Sequence, residues 1–369
     1  MGGCLSTRDV SRYRDSYHSD LQADKSPTPT SPSADSTPSR ELPMRASSIS
    51  KKSTAPRRSF DELQESHQFP GQKNKSRNTN RTGLPGPSTS NLSIEQRSLV
   101  GVARWPDSRY NEEDSRAQQS YGQSFWNATR KAGSLIANGK ISSLEQLWTH
   151  VSEWRGKKAG SSSSPFGASR RDPKYNLPRI TGLGEKYAYV RDRYANRTDG
   201  DIMRNRYNLP PFMQFQIDDE IDGEPISLTK IVISKDAMAD RMDEIYAGLR
   251  SRNQETLGEP FHIAHTEAVD VPRIMKHAES LYSRALDPDI DDGQALAAMG
   301  ELHWWLAHAM PDVRGSAAKA ELSVRSIAQA RGMDLPPFQR GIVPDLEAMT
   351  TARSDFVKNY SQMLAWTEI

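Results

Sequence analysis

The first 90 or so of the 369 residues set the strongest limit on what this chain can fold into. Stretches such as "SPTPTSPSADSTPSR" (26–40) are dominated by Ser, Thr, Pro and Arg, and they cannot bury enough apolar surface to offset the entropy of ordering. Residues 1–90 are therefore expected to form a disordered arm. About 275 residues remain from about position 91 onward, enough for one large domain or two lobes. The apolar share of 35% agrees, being too low for one compact globule of the full length.

The arm begins "MGGCLS", which fits the myristoylation pattern: Gly2 becomes terminal once Met1 is removed, and Ser6 supplies the hydroxyl position. Cys4, the chain's only cysteine, is placed to take palmitate. One acyl chain binds a bilayer marginally. Two chains, or one chain plus basic residues such as Lys51, Lys52, Arg57 and Arg58, hold it stably. The alternative is a chance match to a short pattern.

Several classes are set aside. Net charge is +2 with Lys and Arg spread along the chain, so no basic stripe points to nucleic acid. A single cysteine excludes a disulfide framework and a thiolate metal cluster. No apolar run reaches the roughly 18 residues of a membrane span, and the start lacks the apolar core of a cleavable signal peptide.

Beyond residue 90, helical spacing and caps recur. "SIEQ" at 93–96 reads as a capping box, and "SLEQLWTHVSEW" as a helix capped by Ser142 and Glu145 with Leu144, Leu147, Trp148, Val151 and Trp154 inward. "GKKAGSSSSPFG" reads as a flexible connection. "FMQFQI" and "EPISLTKIVI", separated by acidic residues and Asp222-Gly223, predict a small antiparallel hairpin in an otherwise helical protein. A helix is expected at about 236–251. Another opens at Asp270 with Pro272, and a third runs from Asp292 to near Met310, where Pro311 ends it. The next starts near Ser316 and stops at Gly332.

"HAMPDVRGSAAKAE" (308–321) is thus a tight loop entering a helix. A helix start offers free N–H groups and a positive dipole end. With Gly315 permitting close approach and Arg314 and Lys319 adding charge, it makes a candidate phosphate cradle that includes Ser316. The alternative is ordinary capping by Asp312 and Ser316. His303 lies on the apolar face and reads as a core histidine. His308 stands beside the loop. His262 and His265 lack a third ligand at metal spacing, so no metal is expected.

"RWPD" (104–107), "HWWLAHAMPDVRGSAAKAE" (303–321) and "LPPF" (335–338) resemble the AvrB family of type III secreted effectors, with the likeness spanning about residues 92–369 and looser from 160 to 255. That family comes from bacteria that deliver such proteins into plant cells, which implies a secretion signal in the arm and a host acyltransferase for "MGGCLS". The resemblance implies a mostly helical, two-lobed α+β fold related to the Fic and Doc proteins, the Fido fold. A helical lobe (about 91–160 and 253–369) and a smaller strand-containing lobe (about 167–252) would flank a nucleotide-like ligand. It places the family's pocket arginine on Arg314, its aspartate on Asp345, its histidine on His265, and its threonine and tyrosine on Thr181 and Tyr187.

The Fic signature is departed from, since Arg314 and Ser316 stand where asparagine and arginine belong. The activity implied is instead glycosyl transfer, from a UDP- or dTDP-rhamnose-like nucleotide sugar and without a metal, to Thr or Ser of a membrane-associated host immune regulator. This would take place at the cytoplasmic face of the plasma membrane, with a host resistance receptor engaged indirectly. Arg314 and the helix start would stabilise the departing diphosphate, while Asp345 or His265 takes the proton. Asp345 could instead stabilise positive charge on the sugar. Two other readings remain: a non-catalytic adapter that promotes phosphorylation of the regulator by a host kinase, and a Fic-type nucleotidyl transferase.

Overall fold

A computed structural model describes residues 82–111, 115–159, 167–172, 179–195, 197–203, 212–234 and 261–366. Residues 1–81 of the expected arm, with Gly2 and Cys4, most of the expected flexible connection and the helix expected at 236–251 lie outside these residues. The last stretch of the expected arm, 82–90, is instead packed on the domain: Leu84 is buried in the core, Gly86 N–H donates to Ala330 O at 2.8 Å and Ser88 Oγ donates to Gly332 O at 3.1 Å, so the folded part starts earlier than composition predicts.

Nine α-helices and five strands occur among the described residues. Helix α1 (Ile94–Leu99) opens with the expected capping box, Ser93 Oγ accepting from Gln96 N–H while the Gln96 side chain accepts from Ser93 N–H. Next come α2 (Arg116–Ala137) and α3 (Leu144–Ala159). The cap of α3 differs from expectation by one position. Gln146 N–H donates to Ser143 Oγ at 3.2 Å, and the Gln146 side chain, rather than that of Glu145, accepts from Ser142 N–H at 2.9 Å. Consecutive serines offer two equivalent starts, and the turn geometry selects the second.

Strand β1 (Ile180–Gly182) is followed by a short 3₁₀ turn and α4 (Ala188–Ala195), then by β2 (Asp201–Met203), β3 (Phe212–Ile221), β4 (Glu224–Ser234) and β5 (Phe261–Ala264). β3 and β4 form the expected hairpin around Asp222-Gly223. It sits within a larger antiparallel sheet of order β1-β5-β4-β3-β2. The rest is helical: α5 (Val271–Ala285), α6 (Asp292–Ala309), α7 (Ser316–Ala330), α8 (Pro344–Thr350) and α9 (Arg353–Asn359). Asp291 caps α6 with a second capping box, whereas Asp270 precedes α5 without a side-chain cap. α7 ends in a Schellman arrangement, Gly332 N–H to Gln329 O at 3.0 Å and Met333 N–H to Ala328 O at 2.9 Å.

α6 and α7 are buried on nearly every side, as expected of central rather than surface helices. His303 is a core histidine, its Nδ1 2.9 Å from Tyr360 Oη. Apolar side chains gather in two clusters. One joins α2, α3, α5, α6 and α7. The other joins Trp105, Tyr187, Val190 and Tyr194 to the sheet and to Leu346 and Met349 of α8. In β4, Ile226 and Leu228 enter the first cluster and Ile231 and Ile233 the second, so strand alternation sets the sheet between them. No helix among the described residues is long and apolar enough to cross a membrane.

Candidate functional site

His265 follows directly on β5, and Thr181 is the middle residue of β1, paired in register with Ile263. The pairing is extended by His265 N–H, which donates to Arg179 O at 2.9 Å. The two predicted residues therefore meet: Thr181 Oγ1 lies 2.7 Å from His265 Nε2. His265 Nδ1 is buried and has no hydrogen-bond partner among the described residues. Burial holds the imidazole well below its usual pKa of 6.5, and Arg179, Arg170, His308 and His262 add to the effect. His265 is neutral at pH 7.

His308 connects this corner to α8. Its Nε2 donates to Ala348 O at 3.1 Å, so its Nδ1 accepts from Thr229 Oγ1 at 2.8 Å. Burial pushes its pKa down to about 3. One helical turn before Ala348 stands Asp345, partly buried on the first turn of α8. Desolvation pushes its carboxyl up to about 6. Glu321 adds repulsion, while the N–H groups of Asp345 and Leu346 pull the other way.

The 310–315 loop holds the other predicted residues. α6 ends on Met310 in the left-handed region (φ 40°), and its last carbonyls need donors. Arg170, 1% exposed, supplies them: Nη1 donates to Ala309 O (3.1 Å) and Met310 O (3.3 Å), and Nη2 to Thr266 O (2.6 Å). One guanidinium thus ties the helix end to the residue after His265. Gly315 precedes α7 at φ 83°, a conformation that disfavours any side chain. Arg314 beside it is buried.

Two members of the expected cradle serve the loop itself. Ser316 Oγ accepts from Asp312 N–H at 3.0 Å and donates to Asp312 O at 3.1 Å, closing the loop on itself; it does not cap α7, whose N-cap is Gly315 without a side-chain hydrogen bond. Lys319 is 1% exposed, ion-paired with Asp312 and stacked 4.3 Å from the Trp148 ring centre, whose Nε1 donates to the same carboxylate at 3.3 Å. Its charge is neutralised inside the fold, and the cradle reduces to Arg314, Gly315 and the backbone of the α7 start.

The quoted motifs also converge. Arg104 of "RWPD" donates to Phe338 O of "LPPF" at 3.1 Å, and Trp105 meets the Tyr187 ring edge-on at 5.3 Å. Tyr187 is buried against Trp105, under Lys186. Among the described residues no group of three or more His, Cys, Asp or Glu is placed to hold a metal ion. A shallow groove lined by Lys131, His150, Trp154 and Lys157 shares no residue with this site.

A family model described as "Avirulence protein" (AvrB_AvrC) matches residues 44–366. The chain belongs to the AvrB_AvrC family. Avirulence protein B of Pseudomonas savastanoi pv. glycinea is 34% identical to it over 304 residues, which cover 79% of this chain and 93% of that protein. The family match begins well inside the Ser- and Pro-rich stretch, upstream of where the motifs alone had placed it. In this AvrB_AvrC protein, the residues around the site that sequence reasoning missed are Arg170, Arg179, Thr229, Tyr189 and Glu321. Arg170 and Arg179 flank a segment without periodicity, and their contacts are long-range. Tyr189 follows Tyr187 by two in "EKYAYV" and carries no pattern of its own.

Proposed function

We propose that this AvrB_AvrC protein is an effector that acts inside plant cells, transferring a deoxyhexose such as rhamnose from a UDP- or dTDP-sugar to a Thr or Ser of a membrane-associated immune regulator. In this reading Gly2 and Cys4 carry the lipids that hold it at the cytoplasmic face of the plasma membrane. A resistance receptor detects the modified regulator rather than the effector. The fold is read as Fic/Doc-related, with the 310–315 loop and the α7 start in the place of the anion loop.

The observation that carries the proposal is the environment of Asp345. Free in water, an imidazole is a stronger base than a carboxylate by more than about 2 pKa units. Here burial pushes Asp345 up to about 6 and His265 well below 6.5, so that order is closed up. The carboxylate becomes the group suited to accept a proton near neutral pH. The imidazole, kept neutral, positions Thr181.

In the transfer the acceptor oxygen bonds to the anomeric carbon as the bond from that carbon to the phosphate oxygen breaks, its electron pair leaving with the nucleoside diphosphate. The hydroxyl proton passes to Asp345. Arg314 offsets the charge on the departing diphosphate.

The test is intact mass spectrometry of a candidate regulator incubated with the protein and a panel of nucleotide sugars and nucleotides, beside Arg314→Ala. A deoxyhexose increment that disappears with Arg314→Ala is expected. A nucleotide increment would instead establish nucleotidyl transfer. An unmodified regulator that still binds would establish the adapter.

A further inference from the structure

Residues 167–172 lay a turn of chain against the 310–315 loop. Ser169 makes the turn, its carbonyl accepting from Asp172 N–H at 3.0 Å and its hydroxyl from Arg171 N–H at 3.1 Å. Ala168 O accepts from Val313 N–H at 2.9 Å and Arg170 N–H donates to Pro311 O at 2.9 Å, which sets Ser169 antiparallel to Asp312. The turn sends its two arginines opposite ways: Arg171 is exposed, whereas Arg170 is buried. Three carbonyls converge on the Arg170 guanidinium, those of Ala309 and Met310 at the end of α6 on Nη1 and that of Thr266, which follows His265, on Nη2. A planar fork with fixed donor directions holds carbonyls from two separate stretches at a set separation; an ammonium on a flexible stem does not. The cation also stands at the negative end of the 18-residue α6, which offsets part of the cost of burying it.

We infer that Arg170 is a positioning residue of this site, fixing the separation between the Thr181–His265 pair and the loop that carries Arg314. It acts through its neighbours and not on substrate. On one side it holds the residue after His265, whose Nε2 lies 2.7 Å from Thr181 Oγ1. On the other, its side chain holds Ala309 and Met310, its own N–H holds Pro311, and Ala168 of the same turn holds Val313, the residue before Arg314. A group that offsets charge on a departing diphosphate does so only from the right place, and misplacement by about 1 Å is costly. The geometry stands by itself; its catalytic consequence rests on the glycosyl-transfer reading above.

The test replaces Arg170 by Lys, which keeps the charge and removes the fork, in the full chain with its histidines labelled with nitrogen-15. The ring signals of His265 and His303 are assigned with His265→Gln and His303→Gln, and thermal unfolding confirms that Arg170→Lys folds. The His265 signal should move, and that of His303, hydrogen-bonded to Tyr360 nearly two turns before the end of α6, should stay. A general loosening of the core would move both. Turnover at saturating UDP-rhamnose should fall about 10- to 100-fold while KM changes by less than about threefold. Ser169→Ala loosens the turn with Arg170 in place and should move His265 in the same direction by less; it decides the matter if Arg170→Lys does not fold. An unmoved His265 signal, or an equal movement of His303, would overturn the inference and leave the transferase standing. A wild type without transfer overturns the transferase reading, and the His265 signal still decides the role of Arg170.

Discussion

Ionising Asp345 in the folded chain costs free energy, because burial raises its pKa to about 6 from the ordinary aspartate value of 3.8. The folded state therefore binds more protons than the unfolded chain between those values, and this group's unfavourable contribution grows as pH rises through them. Above pH 6 it is fully present, at about 1–3 kcal/mol. Asp345→Asn should accordingly raise the melting temperature at pH 7.5 and leave it nearly unchanged at pH 4, while abolishing transfer; scanning fluorimetry at the two pH values checks the first part. A stabilising substitution that removes activity is the expected mark of a functional carboxylate. The family resemblance is what points to Arg314, Asp345 and His265 as site candidates. Charge and a place at a helix start point to Lys319 and Ser316 as cradle members, but neither signal shows that Asp312 turns back to take both.

At the scale of elements, the helices were legible because caps and apolar period agree locally, as at Ser93–Gln96 and along 292–309. The sheet was less so. Only β3 and β4 are long enough to show alternation; β1, β2 and β5 have three or four residues each and find their partners far along the chain. No local pattern therefore pairs Thr181 with His265; the resemblance places both in one pocket, and the fold supplies their direct contact. Close approach of α2 and α7 depends on Gly133, where an added Cβ would stand 2.5 Å from Gln329 Cβ and 2.9 Å from Ser326 O. Gly133→Ala should push these helices apart and destabilise the fold by about 1–3 kcal/mol, read from the shift of the urea midpoint at constant slope.

Across the whole molecule, His303 and His308 are held neutral with pKa values of about 3, and His265 is depressed in the same direction. Unfolding exposes these imidazoles, which then take up protons below about pH 6.5, so stability is present above that value and is lost as pH falls toward 3. Between pH 8 and pH 5 each of His303 and His308 should cost about 2 kcal/mol, opposed in part by Asp345, and denaturant unfolding at the two pH values measures the sum. The proposed lipid anchor is tested at this scale too. With one acyl chain only marginally held, Gly2→Ala should release the protein from the membrane fraction of plant cells, and Cys4→Ser should release it partly, as fractionation would show. The composition of the arm was plain in the sequence, but the family match from residue 44 was not, because no periodic pattern marks that boundary.

The account turns on a carboxylate whose basicity the fold has raised. Its most direct test is a carboxyl-carbon NMR titration of the full chain labelled at aspartate, with Asp345→Asn used to assign the Asp345 signal. A midpoint near 6 is predicted. A midpoint near the ordinary aspartate value of 3.8 would place Asp345 in ordinary contact with water and remove it as the proton acceptor.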